Sequence, residues 1–204
     1  FYAYISGTLN RNNITNQTLI ASEDLDLGND IILPRGGQLI SPVNINGNWN
    51  IRSFVTWGAP VRALRSNANI SLNASYQESP GLINNLRNLS KTASVGVGLT
   101  LSSNFSEKID FTLSSRTNFN NAVNTLSTSS NTQFWNQISE GRVNIIFPGN
   151  IVLRSSVVNT FFKGLGEGFD QNFWLWNASI GKKFLKGDRG EVNLQVFDLL
   201  KQNT

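Results

Sequence analysis

An unbroken alternation of apolar and polar residues over positions 93–103, "ASVGVGLTLSS", constrains the fold more than any other feature of the chain. Val95, Val97, Leu99 and Leu101 alternate with glycine and small polar residues, and a period of two is the period of a β-strand. One face of this strand is therefore apolar and the other is polar. In a soluble sheet the apolar face packs into a core, whereas in a membrane barrel it contacts lipid and the polar face lines the lumen.

The same alternation recurs along the chain and predicts an all-β protein with about nine strands and no convincing helix. The predicted strands are 1–10, 43–57, 66–76, 93–103, 108–119, 133–147, 151–162, 174–184 and 191–199. Most of them span ten or more residues. This length exceeds the usual five or six residues of strands in soluble proteins and matches the roughly nine to eleven residues of a tilted membrane-spanning strand.

Short and long connections take turns between the predicted strands. The short ones, rich in turn-forming residues, are 58–65, 106–108, 148–150 and 185–190, and the long ones are 11–42, 77–90, 120–132 and 163–173. This pattern is typical of an up-and-down antiparallel sheet, and outer-membrane barrels have short periplasmic turns and long external loops. The first long loop contains an acidic cluster, for which a solvated loop is the simplest interpretation and a cation or ligand contact the alternative. Its members are Glu23, Asp24, Asp26 and Asp30.

The composition excludes several classes of function. The chain has 204 residues and no Cys, Met or His, so a Cys/His zinc site, a disulfide framework and His-based catalysis are excluded. With no catalytic constellation apparent, we expect neither an enzyme nor a bound cofactor or metal. The net charge is +4, but Lys and Arg are scattered singly, which argues against nucleic-acid binding. No apolar stretch approaches the roughly 18 residues of a transmembrane helix.

Three features favour lipid, rather than a core, against the apolar faces. Only 15% of the residues are charged, and the polar faces carry Asn, Ser, Thr and Gly where soluble sheets carry Lys and Glu. Each apolar face has about five positions, which cover roughly 23 Å at a tilt near 45°, close to the apolar band of a membrane barrel. Aromatic residues gather near strand ends, as at a membrane–water interface. The predicted interface set is Trp49, Trp57, Trp135, Phe147, Trp174, Trp176 and Phe184.

The alternative is a soluble β-sandwich or lipocalin-like barrel that binds a ligand in its interior. It explains the alternation equally well, but it explains the strand length, the low charge and the aromatic placement less well. The prediction is therefore an antiparallel, up-and-down transmembrane β-barrel, of which residues 1–204 are one segment. Nine strands leave the two outer strands parallel, and single-chain bacterial barrels have even strand numbers. We therefore expect part of a larger barrel, without its plug domain and without a closing C-terminal strand.

Six charged side chains are predicted on the lumen face. They are Arg52, Asp110, Arg116, Arg142, Arg154 and Lys183. Solvated side chains along a lumen wall are the simplest interpretation, and contacts with a plug or a solute are the alternative. Asp110 and Arg116 are candidates for a structural ion pair.

The stretch "FWLWNASIGKKFLKGDRGEVNLQVFDLLKQNT" (173–204) resembles the last hairpin but one of large Bacteroidota outer-membrane barrels of the TonB-dependent receptor type. Residues 43–61 and 68–85 are similar to preceding strands of that family, so the resemblance covers about 43–204. It implies a barrel of about 22 strands around a plug, located in the bacterial outer membrane. It also implies transport of a nutrient or metal chelate. The implied partners are outer-membrane lipid, the remaining barrel and plug, and a TonB-type energising protein. A structural or pore-forming subunit of an envelope assembly is the alternative function.

Overall fold

The computed structural model describes residues 1–126, 128–164, 166, 168–185, 187 and 189–202, which form strands and short connections. Two single-turn 3₁₀ helices, Arg62–Leu64 and Thr128–Ser130, lie in the connections. The strands are β1 (Tyr2–Asn10), β2 (Asn13–Ile20), β3 (Leu25–Asp26), β4 (Ile32–Leu33), β5 (Gln38–Ile45), β6 (Asn48–Val61), β7 (Ser66–Ile83), β8 (Leu86–Ser106), β9 (Ile109–Asn124), β10 (Thr132–Phe147), β11 (Ile151–Lys163), β12 (Gln171–Phe184) and β13 (Gly190–Val196).

Eleven of these strands form one sheet. Nine of them are antiparallel neighbours in the order β1-β6-β7-β8-β9-β10-β11-β12-β13, and β2 and β5 join the sheet beside this series. From β6 onward each strand pairs with the next one in the chain. The all-β, up-and-down architecture predicted from the alternation is thus confirmed. β1 and β13 lie at the two ends of the sheet, and no ladder joins them within the part of the chain that the structure describes. They run in the same direction, because an even number of antiparallel steps separates them.

The hairpin of β7 and β8 is longer than predicted. These strands have 18 and 21 residues, and their ladder extends to the pair Ile83–Leu86. Asn84 and Asn85 form the turn with φ of 49° and 64°, the left-handed pair that a two-residue type I′ turn requires. The long loop predicted at 77–90 is therefore wrong. Its Asn, Gln, Ser and Pro residues suggested a loop, but the ladder uses backbone groups, and the turn residues stand in the middle of the segment.

Most of the predicted first loop, 11–42, is also β-structure. β2 and β5 pair with each other and continue the hairpin of β1 and β6, while β3 and β4 form a small ribbon nearer its tip. A kink separates the two halves of this hairpin. Asn12 and Gly47 face each other there with φ of 53° and 99°, and the Asn12 N–H donates to Oδ1 of Asn46 over 2.7 Å.

Beyond the kink, β2 rather than β5 lies beside β7, and the two strands run parallel. The order of the two hairpin strands is therefore reversed relative to β1 and β6. The turn of β7 and β8 holds this arrangement. The Asn84 N–H donates to the carbonyl of Thr18 at 2.9 Å, and the Asn84 side-chain oxygen accepts the Ile20 N–H at 2.6 Å. Asn85 accepts a hydrogen bond from the amide of Gln17 at 2.5 Å.

The large sheet has no hydrophobic core. Among the described residues, Ala21, Pro80 and Val152 are the only buried ones with an aliphatic or aromatic side chain. The second sheet of the structure is the two-stranded ribbon of β3 and β4, which is too small to cover the first, so the apolar face forms no sandwich core. Val95 and Leu99 are 55% and 51% exposed, while the glycine at 96 between them is buried. This is the reverse of the distribution in soluble proteins, in which aliphatic side chains are the most often buried.

Candidate functional site on the polar face

The strand register sorts the side chains onto two faces, because directly paired residues of neighbouring strands lie on the same side of a sheet. Leu72 on β7 pairs with Val97 on β8, and this side is called the apolar face. Asn73 pairs with Gly96, which in turn pairs with Asn118 on β9, and this side is called the polar face. The amides of Asn73 and Asn118 lie over Gly96, where a Cβ would collide with both of them.

All six of the predicted charged side chains lie on the polar face. Their register partners are polar or small: Arg52 with Ser75, Asp110 with Asn144, Arg116 with Gly98, Arg142 with Ser156, Arg154 with Ser179, and Lys183 with Glu191. They do not form one group, however. Arg52 lies on β6 and is exposed, with no hydrogen bond or ion pair to the described residues. Four of the others gather toward the short turns, on β9 to β12.

This charge cluster consists of seven residues on five neighbouring strands: Asp110, Glu140, Arg142, Asn144, Arg154, Lys183 and Glu191. Most of them line a cavity of about 530 Å³ on the polar face. Arg154 and Glu191 make a bidentate ion pair across β12, with Nη1–Oε1 at 2.5 Å and Nη2–Oε2 at 3.1 Å. The pair passes over Gly181, where a Cβ would lie 2.8 Å from the Glu191 Oε1. Glycine at 181 thus makes room for the Glu191 side chain.

The second half of the charge cluster lies on β9 and β10. The Arg142 Nε donates to Glu140 Oε1 at 2.5 Å, and the Asn144 Nδ2 donates to Asp110 Oδ2 at 2.9 Å. The Oδ1 atom of Asn144 is buried and accepts no hydrogen bond from the described residues. The cluster therefore combines two internal ion pairs with a buried amide oxygen that has no partner among the described residues.

The expected ion pair between Asp110 and Arg116 is wrong. The two residues are six positions apart on β9, which is about 20 Å along an extended strand. Glu140 and Glu191, the two acidic partners that the structure shows, were not predicted, although the sequence indicates both. Glu140 stands two residues before Arg142 and thus on the same face, and Glu191 faces Lys183 across the predicted short turn.

The charge cluster offers guanidinium, ammonium, carboxylate and amide groups. Among the described residues, no group of three or more Asp, Glu, His or Cys side chains could hold a metal ion. The cluster can contact a polar solute or a polypeptide through ion pairs and charge-assisted hydrogen bonds.

All seven of the predicted interface aromatics lie on the apolar face. Four are near the loop end of their strands: Trp49, Trp135, Trp174 and Trp176. Three are near the turn end: Trp57, Phe147 and Phe184. The indole N–H of Trp176 donates to Oγ of Ser155 at 2.9 Å, so this ring keeps its polar atom hydrogen-bonded within the sheet.

The polar face also carries an aromatic group that the sequence analysis did not single out. Tyr2 and Tyr4 on β1 pack with Phe54 on β6, with ring centroids 6.0 to 6.4 Å apart. The register places Tyr4 opposite Phe54, two residues from Arg52 on the same face, and Tyr2 a further two residues away.

No protein-family model, curated protein or solved structure matches this chain. No helix among the described residues is long and apolar enough to cross a membrane.

Proposed function

We propose that this chain forms part of the wall of a bacterial outer-membrane β-barrel of the TonB-dependent receptor type, which transports a nutrient or a metal chelate. The observation that carries the proposal is the exposure of the apolar face in a sheet that buries almost no aliphatic side chain in its described part. Burial of apolar surface stabilises by about 25 cal/mol per Å². If the apolar face were left in water, its side chains would not contribute this stabilisation. In a membrane, the lipid chains would surround them with apolar groups.

The dimensions of the sheet support a membrane position. Trp135 and Phe147 lie twelve residues apart on β10 and on the same face. That separation is about 29 Å along the membrane normal at a tilt near 45°. The apolar band of outer-membrane barrels is about 25 Å tall and is flanked by two aromatic girdles. The loop-end and turn-end aromatics of this sheet correspond to those girdles.

The direction of the outer strands supports a barrel larger than this sheet. β1 and β13 run parallel, so antiparallel closure requires an odd number of additional strands between them. The polar face would then enclose the lumen, and the charge cluster would face its contents. Its ion pairs and the unpartnered amide oxygen of Asn144 suit contacts with a plug domain, through which a TonB-type protein would energise uptake.

The proposal is tested with the full-length protein in its own bacterium. Membranes are washed with alkaline carbonate and then extracted with detergent, and we expect the protein only in the detergent extract. Release by carbonate would contradict the barrel. Deletion of the gene should reduce uptake of one solute from a nutrient panel, and collapse of the proton-motive force should reduce that uptake to the same level. Uptake that persists without the proton-motive force would indicate a passive pore, and a deletion without any transport defect would indicate a structural subunit.

A further inference from the structure

A group of polar side chains on three adjacent strands interrupts the apolar face. They are Ser115 and Thr117 on β9, Gln137 and Ser139 on β10, and the buried Asn159 on β11, and they are called the membrane-facing polar patch. Thr117 pairs with Gln137, and Ser139 pairs with both Ser115 and Asn159, so the patch is continuous. Leu113 and Val157 lie on the same face. Leu113 is two residues before Ser115 on β9, and Val157 is two residues before Asn159 on β11.

The patch lies inside the band that the aromatic girdles define. Gln137 and Ser139 are two and four residues from Trp135, toward the middle of β10. These steps correspond to depths of about 5 and 10 Å below that ring at a tilt near 45°. Phe119 pairs with Trp135, while Phe161 and Trp174 pair directly with Gln137 and Asn159. Ser139 and its partner Ser115 therefore lie deepest, on the hydrocarbon side of the Trp135 ring.

The patch is partly satisfied by its own hydrogen bonds. The hydroxyls of Ser115 and Ser139 are 2.9 Å apart, and the Gln137 amide donates to Ser139 at 3.1 Å. The Asn159 amide donates to Oδ1 of Asn172 at 2.8 Å. The Gln137 side-chain oxygen and the Thr117 hydroxyl make no hydrogen bond with the described residues. In lipid, no water is present to form hydrogen bonds with these two groups.

We propose that the membrane-facing polar patch binds a second copy of this protein, so that two barrels form a two-fold symmetric dimer in the membrane plane. The inference rests on the proposed membrane position. Two copies inserted in the same orientation carry the patch at the same depth, so each patch meets its own equivalent. Amide and hydroxyl groups both donate and accept hydrogen bonds. The patch is therefore complementary to itself, as an isologous two-fold interface requires.

The surface beside the patch permits close approach. Gly141 follows Ser139 on the apolar face of β10 and has no side chain to hold a neighbour away. A hollow of about 350 Å³ opens there, lined by Leu113, Ser139, Gly141, Val157 and Trp174 among others. Small residues with hydrogen-bonding side chains are typical of protein–protein contacts within membranes.

The first test uses the absence of cysteine from residues 1–204. Ser139→Cys is introduced into the full-length protein, and native outer membranes are treated with a short bifunctional maleimide. Because the two-fold axis passes close to position 139, we expect a crosslinked band at twice the monomer mass. Leu99→Cys on the same face is the matched control and should stay monomeric. Equal crosslinking of both variants, or none of Ser139→Cys, would overturn the dimer.

The second test removes the polar groups without removing the apolar face. Gln137→Leu combined with Ser139→Ala should raise the dimer dissociation constant in lipid nanodiscs by about tenfold. The unfolding midpoint of the barrel should not fall, because both substitutions are compatible with lipid. Val143→Leu on β10 is the control and should leave the dissociation constant unchanged. A wild-type protein that inserts as a monomer would sink the dimer alone, whereas a protein that fails to insert would sink the proposed function as well.

Discussion

Leu99→Arg and Thr100→Arg form the sharpest test of the two faces, because they place the same side chain at adjacent positions of β8. Leu99 is 51% exposed on the apolar face, next to Ile70 on β7. Thr100 points to the polar face, between Asn69 and Ser114. The two variants have the same charge change and the same depth in the sheet. Their difference therefore reports only which face contacts lipid.

The magnitude follows from the position of Leu99 in its strand. The apolar run on β8 extends from Ala93 to Leu101 and is centred on Val97. Leu99 lies two residues from that centre, or about 5 Å along the membrane normal at a tilt near 45°. Arg at the midplane of a lipid-facing barrel costs about 2–4 kcal/mol, falling toward zero at the interfaces. We therefore expect about 2–3 kcal/mol for Leu99→Arg and less than about 1 kcal/mol for Thr100→Arg.

The measurement is reversible urea unfolding of the full-length protein in lipid vesicles, followed by tryptophan fluorescence and by heat-modifiable electrophoretic mobility. The free energy of unfolding is compared among the wild type and the two variants. Equal losses for the two substitutions would show that both faces pack against protein. A larger loss for Thr100→Arg would show that the assignment of the faces is reversed.

Three further predictions concern the charge cluster and the loop end. A double-mutant cycle on Arg154 and Glu191 should give a favourable coupling that shrinks as salt is raised, because the pair is partly exposed and therefore screened; a coupling independent of salt would contradict this. Gly164→Ala should destabilise by about 1–3 kcal/mol more than Gly168→Ala in urea unfolding. Both glycines have positive φ, but only the first abuts a carbonyl of β10, so equal losses would refute the steric reason. Asn84→Ala should speed hydrogen–deuterium exchange in β2, measured by mass spectrometry, with unchanged exchange in β11 as the control.

The interiors of the strands could be predicted because the alternation alone determines them. The predicted strands 133–147 and 151–162 differ by one residue from Thr132–Phe147 and Ile151–Lys163. Every side chain on such a strand is assigned to a face by parity, which is why all six charges and all seven aromatics are found on the faces assigned to them. The contact of the apolar face with lipid and of the polar face with a lumen belongs to the proposed function.

The loop ends could not be predicted, because polar residues leave no alternation there. Residues 77–83 form a ladder only because 86–92 stand opposite them. The parallel contact of β2 with β7 joins Gln17 to Leu82. No local sequence pattern predicts a contact between residues so far apart in the chain. Strand positions at the loop ends are therefore decided by partners and not by their own composition.

The partners within the charge cluster escaped prediction for a related reason. Parity assigns a residue to a face but not to a neighbour, since the neighbour depends on the register of each hairpin. A shift of two residues in β13 would retain Glu191 on the polar face and remove it from Arg154. The membrane-facing polar patch was missed because Ser115 and Thr117 are polar on a strand whose opposite face is polar too. At these positions the alternation disappears, and with it the signal.

The reversed strand order beyond the kink implies an order of events in folding. Gln17 precedes Leu82, its partner across the parallel contact, by 65 residues in the chain. The hairpin of β7 and β8 closes by a two-residue turn with contacts between near neighbours, which is a fast local step. Docking of β2 closes a much longer loop and needs Asn84 and Asn85 already in place. β2 is therefore fixed in place after the hairpin of β7 and β8, although it precedes that hairpin in the chain, and the loop end of the sheet is completed last.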